Sequence, residues 1–299
     1  MAQIGIIGGG NVGANTAFFL AERNLAHVCM YDVKDGLSTG KALDLMEAAP
    51  LRGYQYRVEG TDDIRQALDS QVLVIAAGEI RSPGEQREDL YERNATILDE
   101  VGDRLAGYSG VIIVATEPVD PMTLRLVKHG FDPRRVIGIG GVLDSARLRA
   151  LIARELGAAQ EDVKATVIGR HSHDMIALPA YCSVAGVPVA TLISGARFAE
   201  LVEETRHAGD RIVELAQRTN SYYGPAAATT DVAEAVVHDT RRILSVSTVL
   251  TGQYGITDVA MSLPALIGAG GVERVLEPRL TDDELAQFAK SAASLKAHA

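Results

Sequence analysis

A chain of 299 residues with 47% hydrophobic and 23% charged residues can fill one large core or two smaller ones, and its formal charge of −10 argues against nonspecific nucleic-acid binding or an anionic membrane surface. Its two cysteines, Cys29 and Cys182, lie far apart in apolar runs, which predicts buried thiols in a reducing compartment rather than a disulfide or a metal site. No basic leader precedes the first strand and no apolar run is long enough to span a bilayer, so a cytoplasmic location without a membrane partner is expected.

Gln3-Ile4-Gly5-Ile6-Ile7 reads as a buried strand. Gly8-Gly9-Gly10-Asn11-Val12-Gly13 reads as a glycine turn opening a helix that ends near Arg23, and Val28-Cys29-Met30-Tyr31-Asp32 as a second strand ending in an acid. In that order the parts suit a dinucleotide. Gly8 permits the tight turn, Gly10 lets the backbone approach a pyrophosphate, and Gly13 allows the helix to pack closely on the strand. The helix start offers free N–H groups to phosphates. Asp32, nineteen residues after Gly13, can accept hydrogen bonds from the adenosine ribose and repels a 2′-phosphate, so NAD is expected over NADP. The alternative is an α/β domain whose glycines serve packing alone.

Helical spacing over 38–47 is followed by an alternating strand from Tyr54 to Glu59, a short helix through Ile64 and Leu68, and the apolar run Val72 to Ala77. Gly78 to Gln86 reads as a loop and Arg87 to Leu105 as a long helix. Val111 to Ala115 is another buried strand, and a helix through Met122 and Leu126 leads to Val136-Ile137-Gly138. Six strands with helical crossovers predict an α/β fold, a doubly wound and mostly parallel Rossmann sheet with its ligand crevice at the strands' carboxyl ends.

The character changes near Asp144. A helix to Leu156 leads into the strand-like run Val163 to Ile168, with further strand pieces at 181–184 and Val187. Two long helical patterns follow, Phe198 to Arg218 and Pro225 to His238, then strands at Ile243 to Leu250 and Val259 to Leu266. Thr281-Asp282-Asp283-Glu284 fits a capping box, opening a last helix with Leu285, Phe288, Ala289, Ala292 and Leu295 on one stripe. The expected organisation is a dinucleotide domain over 1–143 and an α+β substrate domain over 144–299.

Several groups together resemble the lactate/malate dehydrogenase family over nearly the whole chain. They are Gly40-Lys41-Ala42-Leu43-Asp44-Leu45, Pro118-Val119-Asp120, Gly140-Gly141-Val142-Leu143-Asp144-Ser145-Ala146-Arg147-Leu148-Arg149, Tyr254-Gly255-Ile256-Thr257-Asp258-Val259 and Gly270-Gly271-Val272-Glu273. The chain is most similar to the malate dehydrogenase branch built like lactate dehydrogenase, whose members are commonly homodimers or homotetramers. The resemblance implies that His171 is the catalytic acid/base, a task suited to a group titrating near neutrality. It further implies that Asp144 orients that imidazole and that Arg147 grips a substrate carboxylate. The loop from Gly78 to Arg87 is similar to the family's lid: Arg81 would take the second carboxylate of a small dicarboxylate, and Arg87 would polarise the substrate carbonyl on closure. Ser221 falls at a substrate-pocket position, where a turn role is equally open to a serine. The cofactor set expected with this reading is Gly8, Gly10, Asn11, Val12, Gly13, Asp32, Ala76, Gly78 and Asn94. By residues alone, Asp144 and Arg147 also read as a helix-start ion pair, and the lid charges as a solvated surface.

Two departures fall in the site. The family's Asn-Pro-Val-Asp is here Glu117-Pro118-Val119-Asp120, which puts a carboxylate where an amide contacts substrate. At about 4 Å and an effective dielectric of 20, like charges repel by roughly 4 kcal/mol. The family's Gly-x-His-Gly-Asp is here Gly169-Arg170-His171-Ser172-His173, followed by Asp174. His-x-His can chelate a metal, but no further ligand set is visible in the sequence and none is expected. The resemblance implies NAD-dependent oxidation of malate to oxaloacetate. The departures leave open a different 2-hydroxy or 2-amino acid as substrate, with Glu117 in the substrate-binding set, or a non-catalytic NAD-binding relative.

Overall fold

The architecture is that of a computed structural model, in which residues 2–55, 57–80, 87–217 and 220–296 are described, the backbone alone for 87–89. The first half alternates strand and helix: β1 (Gln3–Ile7), α1 (Asn11–Glu22), β2 (His27–Tyr31), α2 (Leu37–Arg52), β3 (Val58–Thr61), α3 (Ile64–Leu68), β4 (Val72–Ile75), α4 (Arg87–Arg104), β5 (Val111–Val114), α5 (Val119–Lys128) and β6 (Val136–Gly138). The apolar runs predicted to be buried strands are so: every residue of β4, β5 and β6 is buried, as a sheet covered by helices on both faces requires.

These strands run parallel in the order β6-β5-β4-β1-β2-β3. The chain leaves β1 toward β2 on one side and returns to β4 on the other, so a crevice opens at the carboxyl end of β1. The glycine turn lies there.

The second half begins with α6 (Gly140–Leu156) and continues through β7 (Val163–Lys164), β8 (Val167–Ile168), β9 (Ile176–Ala177), β10 (Ser183–Val184), β11 (Val187–Pro188), α7 (Gly195–Arg206), α8 (Ala208–Ala216), α9 (Tyr223–Val237), β12 (Arg242–Thr251), β13 (Thr257–Gly268), β14 (Gly271–Val275) and α10 (Asp282–Lys296). The long strands β12 and β13 do not form a separate sheet. β12 lies antiparallel against β6 through Ser247 and Gly138, so β12, β13 and β14 extend the first half's sheet to nine strands. The predicted strand at 163–168 is two short pieces in different sheets, β7 beside β10 and β8 beside β9.

The helix expected over Phe198 to Arg218 is broken at His207, whose ψ of 1° leaves the helical region. Gly209 follows two residues later, and glycine costs a helix interior about 1 kcal/mol relative to alanine. Helix α9 is rich in alanine and packs against α1, where Arg23 bridges Asp231 and Glu234 at 2.7 Å each. The capping box of α10 is present: the Thr281 N–H donates to the Glu284 carboxylate at 2.8 Å and the Glu284 N–H to the Thr281 hydroxyl at 3.3 Å. Its buried stripe is Phe288, Ser291, Ala292 and Leu295, narrower than expected because Leu285 and Ala289 face outward. Cys29 and Cys182 are buried free thiols, pushed up to about 11 chiefly by that burial. Among the described residues, no helix is long and apolar enough to cross a membrane.

Candidate active site

The dinucleotide edge is built around Gly8. Its φ of +107° turns the chain out of β1, and a side chain there would collide with the backbone of Ala76 and Ala77 at 2.5–2.7 Å. A Cβ on Gly13 would stand 1.9 Å from the Gly8 carbonyl, so the start of α1 can lie on the turn only because residue 13 is glycine. Gly10 differs, since a Cβ there would meet none of the described residues within 4 Å. That open side faces the start of α1, whose N-cap has no side-chain hydrogen bond, and Asn11 is exposed in its first turn. At the end of β2, Asp32 Oδ2 accepts the Gly9 N–H at 2.7 Å and Oδ1 accepts the Lys34 N–H at 2.9 Å. The carboxylate is thus held beside the turn with acceptor capacity remaining. An open cradle, a helix start and a placed acid are what NAD needs at its pyrophosphate and ribose.

The crevice deepens into a pocket whose lining includes Val12, Ala76, Gly78, Glu117, Arg147 and His171. His171 sits just past β8 and is held at three points. Its backbone N–H donates to Asp120 Oδ2 at 2.6 Å, its Nδ1 lies 2.7 Å from Asp144 Oδ2, and its Nε2 lies 3.2 Å from Glu117 Oε1. Asp144 comes from the start of α6, Asp120 from the first turn of α5, and Glu117 from the segment after β5. Burial opposes the charged imidazole, yet the charges of Asp144 and then Glu117, with a hydrogen bond to each, outweigh it and raise His171 from 6.5 to about 10. Burial pushes Asp120 up to about 6, partly opposed by the N–H it accepts from His171.

Arg147, one turn beyond Asp144, places Nη1 3.6 Å from Asp144 Oδ1 and turns its fork into the pocket. Gly209 of α8 packs against it, where a Cβ would come within 3.8 Å of the guanidinium. Ser221 also lines the pocket. Asn94 is fully buried. Its amide oxygen accepts the Glu79 N–H at 2.7 Å, and its nitrogen donates to the carbonyls of Glu79 at 3.2 Å and Glu117 at 2.7 Å, bracing the ends of two pocket-forming segments. Arg81 lies outside the described residues. Arg87 opens α4, but its side chain is likewise outside what is described.

The second departure from the family pattern points away from the chemistry. His173 turns toward α8 and bonds Asp210 at 2.5 Å, while the Ser172 hydroxyl donates to Asp174. Two functional contacts were not foreseen from the sequence: the grip of Asp120 on the main chain of His171, and the approach of Gly209 to Arg147. Asp120 was visible within Pro118-Val119-Asp120, but an acid in a helix's first turn already has a local explanation in the helix dipole.

Two family models match, one described as the NAD binding domain of lactate/malate dehydrogenase over residues 2–138 and one as its alpha/beta C-terminal domain over residues 141–299. A malate dehydrogenase of Thermomicrobium roseum is 44% identical over 297 residues, covering 98% of this chain and 96% of the relative. The crystal structure of Cryptosporidium parvum malate dehydrogenase superposes with a TM-score of 0.96 at 34% identity, covering 99% of this chain and 97% of that one. A lactate dehydrogenase from the same organism, complexed with lactic acid and NAD, gives 0.95 at 33% identity, covering 99% and 96%. The glycine turn, the His171–Asp144 pair and this full-length similarity agree: the chain belongs to the lactate/malate dehydrogenase family.

Proposed function

We propose that the chain is an NAD-dependent malate dehydrogenase in which His171 is the acid/base, Asp144 holds it, and Arg147 anchors a substrate carboxylate. The observation that carries this reading is the buried Asp144–His171 pair, 2.7 Å between Oδ2 and Nδ1, opening into the pocket that also contains Arg147. The turn from Gly8 to Gly13, the start of α1 and Asp32 would hold NAD, which would accept the hydride that leaves C2. His171 Nε2 takes the proton of the malate C2 hydroxyl as the alcohol becomes a carbonyl, and Asp144 stabilises the imidazolium that results. In the reverse direction the same imidazolium returns the proton to oxaloacetate. The guanidinium of Arg147 offers two parallel N–H donors to one carboxylate and so fixes C2 against the imidazole.

From the resemblance, Arg81 takes the second carboxylate, Arg87 polarises the carbonyl, and Ser221 contacts substrate. Ala76, Gly78 and Val12 would border the nicotinamide end of the cofactor. A cytoplasmic homodimer or homotetramer is part of the same reading. The test is turnover of NADH with oxaloacetate beside a panel of other 2-oxo acids, repeated with His171→Asn. Oxaloacetate as the best substrate, with activity lost in the variant, supports the reading; no turnover above the variant on any acid refutes it.

A second reading has its own observation. Glu117 Oε1 stands 3.2 Å from Nε2, where the substrate oxygen must bind. A substrate carrying an added donor, such as a 2-amino acid or a second hydroxyl, would use that acceptor. The same panel, run with and without ammonium, separates the two.

A further inference from the structure

We propose that His173, His207 and Asp210 form a binding site for one divalent transition-metal ion of the zinc class, at the rim of the active-site pocket. Each residue offers one donor atom, and the three atoms lie within 4.8 Å of one another. His173 Nε2 is 2.5 Å and His207 Nδ1 3.9 Å from the same oxygen, Asp210 Oδ2. The two imidazole rings face each other at 4.7 Å between centroids.

In a tetrahedral zinc site, metal–nitrogen and metal–oxygen distances near ~2.0–2.2 Å put neighbouring donors about 3.3 Å apart. The present spacings bracket that value, so rotations of exposed side chains suffice to close the set around an ion. Two imidazoles and one carboxylate suit zinc, cobalt or nickel rather than magnesium or calcium, which take all-oxygen shells. Three protein ligands leave a fourth position for water. The ligands are 32–59% exposed at their side chains, so an ion can enter without rearrangement of the core.

The placement gives the ion something to do. His173 lies two residues beyond His171, on the same turn after β8. His207 is the break between α7 and α8, and Asp210 stands one turn further on, beside Gly209, which packs on Arg147. Helix α8 buries none of its side chains, although its Val213 lines the pocket. The end of α7 reaches the same turn through Arg206, which donates to the Met175 carbonyl at 3.1 Å. An ion at the three donors therefore clips the turn that carries His171 to the helix that walls the pocket. The carboxylate that the family pattern has at position 173 is here supplied from the opposite side by Asp210.

The experiment uses the full-length, tag-free protein stripped with a chelator and titrated with Co2+, followed by visible absorbance, then by Zn2+ displacement. The proposal expects one Co2+ per chain with tetrahedral d–d bands, displaced by Zn2+, and a melting temperature raised by the ion. His173→Asn and His207→Asn should each weaken binding by about tenfold or more and abolish the shift in melting temperature, with metal-free melting and NADH binding as in the parent. His129→Asn, in the separate pair with Asp103, should bind as the parent does. Absence of saturable one-to-one binding overturns the proposal. So does binding undiminished in either His173→Asn or His207→Asn, which would leave His173 and Asp210 as an ion pair only. No readout here depends on a substrate, so failure leaves the dehydrogenase reading intact.

Discussion

Glu117 and Asp144 hold opposite nitrogens of one buried imidazole, so the Glu117 carboxylate occupies, 3.2 Å from His171 Nε2, the seat that the proposed mechanism gives the reacting oxygen. In that mechanism it must swing out before malate binds. Its side chain is 43% exposed, so water is available to receive it.

In the proposed mechanism malate oxidation requires a neutral His171, whose charged form is favoured by Asp144 and Glu117 and persists to about pH 10. Activity on malate should therefore rise with pH through the alkaline range, while oxaloacetate reduction falls over the same range. In Glu117→Gln one of the two charges is gone, and the rising limb should move to lower pH by about one unit or more. The check is kcat/KM for malate against pH in chelator-treated buffer; an unmoved limb would show that Glu117 does not act on the imidazole.

Removing Glu117 should also ease substrate entry. A carboxylate about 4 Å from a substrate anion opposes it by up to ~4 kcal/mol at an effective dielectric of 20. Glu117→Gln or Glu117→Asn should lower KM for oxaloacetate by at least about tenfold and at most about a thousandfold, since each ~1.4 kcal/mol is one power of ten. Steady-state kinetics at fixed NADH measure it, and an increased KM would instead assign Glu117 a direct binding role.

The same ion pairing makes stability depend on pH. Below 6.5 both the folded and the unfolded histidine are protonated and the contribution is complete; toward about 10 the folded chain keeps a proton that the unfolded chain has lost, and the contribution disappears. Melting temperature should fall between about pH 7 and about pH 9.5, more steeply in the parent than in His171→Asn. Parallel curves for the two proteins would remove His171 from the account.

Asp144→Asn should reduce kcat by about a hundredfold or more, the scale of a general acid/base contribution. NADH affinity should be unchanged, because Asp144 lies across the crevice from the glycine turn. Equal loss of NADH binding and turnover, measured by fluorescence titration beside kinetics, would indicate misfolding instead.

The glycine turn allows stability and cofactor binding to be separated. Gly13→Ala meets the Gly8 carbonyl at 1.9 Å and should destabilise by about 1–3 kcal/mol, the range for overpacking. Gly10→Ala meets none of the described residues within 4 Å, so it should leave melting within about 0.5 kcal/mol of the parent while weakening NADH binding. Unaltered NADH affinity in Gly10→Ala would mean that the open side of Gly10 is not where the pyrophosphate lies.

The central strands were legible because burial on both faces demands continuous apolar runs, as in Val72 to Ile75 and Val111 to Val114. What sequence could not convey was partnership. β12 shows an amphipathic strand pattern, but that pattern does not say that it will pair with β6. The run at 163–168 reads as one strand, yet it divides between two sheets, with Ala165 and Thr166 in neither. The site followed the same division. His171, Asp144 and Arg147 were recognisable by family pattern, and the Glu117 substitution was conspicuous. That Glu117 and His171 touch, although 54 positions separate them, depends on β5 and β8 ending at the same pocket. The carboxylate was expected to confront the substrate; it also engages His171.

The ladder between Ser247 and Gly138 makes the two halves one continuous plank, and the 2.8 and 2.9 Å backbone bonds that Gly169 and Ser262 exchange tie the turn carrying His171 to the added strands. A plank has no hinge at its seam, so the cofactor half and the substrate half are not interchangeable cassettes. A chimera joined near residue 140 would inherit β6 from one parent and β12 from another, and with them a mismatched floor beneath His171.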